Sequence, residues 1–284
     1  MSGRQLPAHI AAALAGNTTD SAGRPWAGRD LSGPENPLHA FDDDDGSADP
    51  GLVAALAGLL QPGTRSGSTE RAVVAALTTA RVFIPIVALL SEQAEGATGL
   101  HADKEAEMAL VTLTAPDGRK ALPVFSTTGA LTRWHGEARP VAAYASRAAL
   151  AAAAEDAQLM VLDPGADLTF VVRRPAVWAL AQQVPWTPSY EDPAVAFLVE
   201  EAAGRQEEVL AVGLRPAGGV LTRTADGSIA SGGGPGPELR MDLRLRPGLS
   251  PDGVRDAVAS FRGKLLDLTD FVDRVDSLDI KLTR

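Results

Sequence analysis

Hydrophobic and polar positions alternate most strictly near the end of the chain. Leu239, Met241, Leu243 and Leu245 alternate with Arg240, Asp242, Arg244 and Arg246. Successive side chains on a strand point to opposite faces. A period of two therefore predicts a strand with one face on a core and one in water. Leu278, Ile280 and Leu282 alternate in the same way with Asp279, Lys281 and Thr283, predicting a final strand. Between these two segments Ser250-Pro251 opens a stripe of Val254, Val258, Phe261, Leu265, Leu268 and Val272, at spacings of 4, 3, 4, 3 and 4. That spacing predicts one long amphipathic helix packed on the sheet. Asp192-Pro193 starts another helix with Val195, Leu198, Val199 and Ala202 on its apolar side. Asp accepts bonds from free first-turn amides, and Pro in the first helical position forfeits none. Val209 to Leu214 reads as a strand with Val220 to Thr224 as its partner, followed by a Gly-rich loop at 225–237.

The preceding segment mixes the two periods. Asp49-Pro50 repeats the helix-start signature ahead of Leu52, Leu56, Leu59 and Leu60. A turn at 61–68 leads to a second helix over 69–79, with Val73, Ala76 and Leu77 inward. Arg81 to Leu90 is nearly all apolar and reads as a buried strand. Pro85 within it implies an edge position or a bulge, because proline cannot donate to a ladder. A polar loop at 91–103 precedes a strand from Met108 to Thr114, a Pro116-Asp117-Gly118 turn and a return strand from Lys120 to Phe125. A short helix follows at 127–135, an extended stretch at 140–144 and an alanine-rich helix at 146–155. Strands at 159–162 and 168–172 flank Asp163-Pro164-Gly165, whose Pro and Gly stand where a type II turn wants them. A helix at 175–182 closes the series.

These elements predict an α+β fold of two domains, each a mixed or mainly antiparallel sheet packed against helices. The first spans 49–183 and the second 189–284. Val184-Pro185-Trp186-Thr187-Pro188 reads as the linker, since two prolines stop a helix and stiffen the joint. Residues 1–48 lack any period and read as an acidic, largely disordered arm behind a short alanine-rich helix, which is too weakly apolar for a signal peptide.

Composition removes several kinds of chemistry. The chain of 284 residues has no cysteine, so disulfides, thiolate metal sites and a cysteine nucleophile are out. Net charge is −10, and five of those charges come from the first 50 residues, which hold eight acids and three bases. Such a balance disfavours phosphate-backbone tracking and anionic membrane surfaces. No stretch reaches the roughly 20 apolar residues that span a bilayer. The chain is expected to be cytoplasmic, with neither nucleic acid nor membrane as a partner.

No nucleophile elbow, phosphate loop or dinucleotide fingerprint is present. The Asp42–Asp45 run fails as a calcium loop: Gly46 at the sixth position puts Phe41 first and Leu52 twelfth. The four histidines are scattered, so neither a metal nor another cofactor is expected. The candidates that remain are for binding. Lys104 lies in the charged run 103–107 with Glu107, and Trp134 lies between Arg133 and His135. Asp163 opens the turn after a strand, and Glu107 with Asp163 is the one acid–base pair considered. On the second domain, Arg240, Arg244, Arg246 and Lys281 fall on the outer sheet face, where they could dock an acidic protein.

The run Asp103 to Thr112, then Pro116 to Ser126, Leu131 to Trp134, Arg139-Pro140 and Leu162 to Gly165, together resemble the N-terminal domain of the SseB family, linked by name to enhanced serine sensitivity. The acidic segment at 42–50 resembles actinobacterial versions, and the second domain is more loosely similar to the SseB C-terminal domain. The resemblance implies an α+β fold and a regulatory, cytoplasmic role, and carries over no catalytic residues. The expected function is therefore a non-enzymatic binding or adaptor protein. The alternatives are a small-metabolite sensor, with an amino acid as ligand near Lys104 and Trp134, and an enzyme with a carboxylate site.

Overall fold

The computed structural model describes residues 41–60, 66–90, 106–223, 229–231, 234 and 236–283. The fold is α+β, with eight α-helices among the described residues. Helices α1 (Pro50–Leu59) and α2 (Ser66–Leu77) lead into strand β1 (Arg81–Leu90), then β2 (Ala106–Leu110), β3 (Leu113–Thr114) and β4 (Lys120–Val124). After them come α3 (Thr128–Trp134), β5 (Arg139–Tyr144), α4 (Ala145–Ala154), β6 (Leu159–Leu162), β7 (Phe170–Val172) and α5 (Arg174–Gln182). The second part contains α6 (Pro193–Gly204), β8 (Val209–Pro216), β9 (Leu221–Arg223), β10 (Ile229–Ser231) and β11 (Leu239–Leu245). It closes with α7 (Pro251–Leu266), α8 (Thr269–Arg274) and β12 (Leu278–Thr283).

Strand order is β2-β1-β5 in one sheet, β3-β4-β6-β7 in a second, β12-β11-β8 in a third, and a β9-β10 pair. Within the second sheet β4 and β6 run parallel, with α3, β5 and α4 between them in sequence. Alternate residues of this sheet, Leu122 and Val124, Met160 and Leu162, Phe170 and Val172, join one buried cluster with Ala148, Ala149 and Ala152 of α4 and Val177 and Leu180 of α5. Small alanines let α4 approach the sheet closely. The period-two segment becomes β11, with Leu239, Met241 and Leu243 fully buried against Phe261 and Leu265 of α7 and Phe271 of α8. Asp49, Asp192 and Ser250 each cap a helix followed by Pro, as their spacing predicts.

Several expectations are corrected. Met108 to Thr114 is not one strand: it divides between β2 and β3, which belong to different sheets. Pro85 sits on a central strand. Its carbonyl faces β2, accepting from Val111 N at 3.3 Å, and across β5 it meets Pro140. Neither proline therefore has to donate to the other. The partner of β8 is β11, and β9, Leu221–Arg223 within the expected partner segment, pairs instead with β10. The apolar alternation of β11 explains this choice, since Leu214 and Val212 of β8 stand opposite Met241 and Leu243. The long helix breaks at Asp267, and Leu268 takes an extended conformation as the N-cap of α8. The break turns Phe271 and Val275 into the core.

The expected linker is anchored, because Trp186 packs against the first cluster. The last part of the acidic arm is docked: residues 41–48 lie against the fold under Arg81. Its guanidinium pairs with Asp44 at 2.5 Å and donates to the carbonyls of Ser47 at 2.6 Å and Ser126 at 3.1 Å. Residues 1–40, the 91–103 loop and much of the Gly-rich loop lie outside the described residues. Among the described residues no helix is long and apolar enough to cross a membrane.

Arg81→Ala should release the docked segment. Hydrogen exchange would then speed up at the Thr128 amide, which donates to Gly46 O at 3.1 Å, while the amides of β6 stay protected. Unchanged exchange at Thr128 would show that the segment is held by something else.

Candidate functional site

The second sheet has two faces. Residues that do not face the helices, Ala121 on β4, Leu159 and Val161 on β6 and Val171 on β7, form the floor of a cavity of about 660 Å³. Register places them side by side, with Ala121 opposite Leu159 and Val161 opposite Val171. Strand β3 supplies Leu113, and the β3–β4 turn Pro116, on one side. The other wall is Gly236, Pro237 and Ser277, from the second part of the chain. That wall depends on Gly219, whose absent Cβ would lie 2.3 Å from the carbonyl oxygen of Gly236. Only glycine allows the two backbones to approach so closely.

Charged residues cluster at one end of this cavity. Asp276 is wholly buried between two guanidiniums from the first part of the chain. Arg119 donates to it through Nη1 at 2.6 Å and Nη2 at 3.2 Å, the bidentate fit that guanidinium and carboxylate allow. Arg173 donates to its other side through Nη1 at 3.1 Å. The Nη2 of Arg173 reaches the carbonyls of Gly219 at 2.6 Å and Gly234 at 2.7 Å. Arg174 donates to the carbonyls of Val272 and Val275, at 2.6 and 2.7 Å, around the end of α8. Glu238, also buried, accepts from the amides of Ser189 and Asp276, each at 3.2 Å. Tyr190 donates to Glu70 at 3.1 Å, and Arg71 pairs with Glu191 at 2.8 Å. The two parts of the chain are thus stitched by a polar seam that is largely buried around Asp276 and Glu238.

Burial raises carboxyl pKa values, and neighbouring cations oppose it. At Asp276 burial pushes upward, but the Arg119 bonds and the charges of Arg119, Arg173 and Arg174 outweigh it and hold the carboxyl below its ordinary range. At Glu238 burial wins over the Arg173 charge, and the Asp276 charge adds to the upward push.

Residues 52–179 match the SseB protein N-terminal domain. This SseB N-terminal domain covers just under half of the chain. No curated protein and no solved structure matches the chain. The cavity floor, Arg119, Arg173 and Arg174 lie inside the SseB N-terminal domain, whereas Gly236, Glu238, Asp276 and Ser277 lie beyond it. The site therefore straddles the boundary of the SseB domain.

The residues singled out from sequence sit elsewhere. Trp134 packs on Phe125 at 5.2 Å in a small third cluster. Asp163 closes β6, where its carboxylate accepts from Ser126 N at 2.8 Å and Ser126 Oγ at 2.7 Å, tying together the ends of parallel strands β4 and β6. The two are neighbours, since a Cβ on Gly165 would lie 3.7 Å from Trp134 Cδ1. Lys104 lies outside the described residues. The backbone of Glu107 pairs with Leu89, whereas Asp163 adjoins the Phe83–Phe125 bridge. Six strand residues, roughly 20 Å at the usual strand rise, separate those points, so the backbone positions of Glu107 and Asp163 are far apart. Arg240 is not a bare cation, because Asp242 lies between it at 3.0 Å and Arg215 at 2.8 Å. Arg244, Arg246 and Lys281 are exposed.

Sequence reasoning missed Arg119, Arg173, Arg174, Glu238 and Asp276. One signal was readable: Arg173-Arg174 stands between an apolar strand and an apolar helix, where a surface pair is out of place.

Two outcomes follow. Asp276→Asn leaves the buried Arg173 without its counter-charge and Arg119 with Asp117 alone, and should cost about 3–5 kcal/mol in urea unfolding at pH 7, the range for breaking a buried pair. Because the folded Asp276 pKa is depressed, its contribution is present above the ordinary carboxylate range and lost as pH falls through the depressed value. Asp163 has the opposite sign. Burial raises its pKa despite the Ser126 bonds, so it costs stability as pH rises from the ordinary range through the raised value. Asn can accept from Ser126 N through its oxygen and donate its NH2 to Ser126 Oγ, reversing that bond, and it tolerates the φ of 50° at this position. Asp163→Asn should therefore be more stable than the wild type at pH 7, with the gain vanishing near pH 3. A loss at pH 7 would contradict this.

Proposed function

We propose that this chain is an SseB-family, non-enzymatic, regulatory binding protein of the cytoplasm, and that the cavity between its two parts holds a small-molecule ligand. The cavity carries this reading. At about 660 Å³ it falls in the size range of small-molecule sites, and it combines an apolar floor with a few convergent polar groups at one end. Its walls come from both parts of the chain, so an occupant would stabilise their docking. The absence of cysteine fits a reducing compartment. Docking of an acidic protein on the C-terminal sheet has weaker support, since Asp242 and Asp279 interrupt its cations and leave Arg244, Arg246 and Lys281 as the exposed ones.

A ligand that binds only the folded state raises its stability by mass action, by about 2.7 kcal/mol at 100 times its Kd. A thermal-shift screen of metabolites should therefore find compounds that raise the melting temperature of the wild type. The same compounds should leave Val161→Phe, whose ring fills the floor, unchanged. Equal shifts in both proteins would refute the site.

A further inference from the structure

We infer that the ligand of this cavity is an uncharged, mainly apolar molecule with a hydrogen-bond acceptor at one end, rather than a free amino acid. The inference rests on reading the cavity as a binding site and adds the chemical class. Three observations carry it.

The first is the lining. Ala121, Leu159, Val161 and Val171 are apolar, as are the flanking Leu113 and Pro116. A polar occupant laid on this surface would give up water without replacement bonds.

The second is charge. The guanidiniums at the end of the cavity, Arg119 and Arg173, are balanced by Asp117 and Asp276. Asp117 pairs with Arg119 at 2.7 Å, and Asp276 lies between Arg119 and Arg173. The set sums to zero. A carboxylate or ammonium brought into the cavity would find no unspent opposite charge there, and burying an uncompensated charge is costly. A zwitterion such as serine would need two such partners.

The third is the remaining donor capacity. Arg173 is nearly all buried; its two terminal nitrogens are bonded to Asp276 and to the Gly219 and Gly234 carbonyls, and its Nε is buried without a hydrogen-bond partner among the described residues. Arg119 is the more open of the pair, with 21% of its side chain exposed. A guanidinium carries five N–H groups. The bonds of Arg119 to Asp117 and Asp276 engage Nε, both N–H groups of Nη2 and one of Nη1, which leaves a single N–H on Nη1. An acceptor such as a hydroxyl, carbonyl or ester oxygen suits the remaining Arg119 N–H at that end, since the Ser277 hydroxyl already donates to Asp276 at 3.2 Å.

The probe is N-phenyl-1-naphthylamine, an uncharged fluorophore that brightens when it leaves water. The full chain should give a saturable rise, at least tenfold weaker in Val161→Phe. Val171→Phe, on the sheet edge, serves if the first variant does not fold. 1-Octanol should displace the probe at a concentration at least tenfold below that needed for octanoate, and serine should not displace it. If octanoate competes as well as octanol, or serine displaces the probe, the inference is overturned while the binding site stands. The same holds if the probe does not bind but charged metabolites from the thermal screen do, and lose that binding in Val161→Phe. Probe binding that persists unchanged in a folded cavity variant overturns both the inference and the site.

Discussion

The carboxylate of Asp276 sits on the second part of the chain, yet its charge is met by Arg119 and Arg173 from the first. Several of the hydrogen bonds between the two parts meet at this point. Arg173 continues from Asp276 to the carbonyls of Gly219 and Gly234 and so fixes the wall of the cavity. The neighbouring backbone amide of Asp276 is held by Glu238, which also holds the amide of Ser189 at the end of the connecting segment. Ser277 accepts from the Glu238 amide at 3.1 Å and lines the cavity. The same few atoms therefore position the connection, the wall and the charged end of the site.

Buried ion clusters are poor sources of net stability, because desolvation consumes much of the Coulombic gain. They are demanding about geometry. A guanidinium displaced by an ångström loses its bonds but keeps its burial cost. This seam accordingly favours one docking arrangement over near alternatives that two apolar faces would tolerate. It also explains why a cavity persists between the parts. The polar seam holds them at a fixed separation, and the apolar floor of the second sheet is left without protein to cover it.

Local pattern made much of the fold legible. The period-two segments at 239–245 and 278–283 are strands, the Asp-Pro and Ser-Pro signatures are helix starts, and Pro116-Asp117-Gly118 turns a hairpin whose Gly118 has φ of 84°. Errors arose where the deciding contact is distant. Nothing in 108–114 itself says that β2 and β3 join different sheets, and only β11 decides the partner of β8. The site was less legible for the same reason. Asp163 and Trp134 stood out through local chemistry and proved to be a strand tie and a packing anchor. Arg119 and Asp276 are 157 residues apart and neither carries a motif. Their importance comes from burial opposite each other, which a linear pattern does not encode. The SseB resemblance was legible because it rests on a contiguous stretch, and it ends before half of the site begins.

The central claim is that the seam makes two cores behave as one folded unit. Hydrogen exchange followed by mass spectrometry across sub-denaturing urea tests it most directly, comparing peptides from β6 in one core with peptides from β11 in the other. The account predicts that both open with the same free energy and the same urea dependence, in one cooperative event. Two separate openings, with β11 exchanging at lower urea while β6 stays protected, would contradict it.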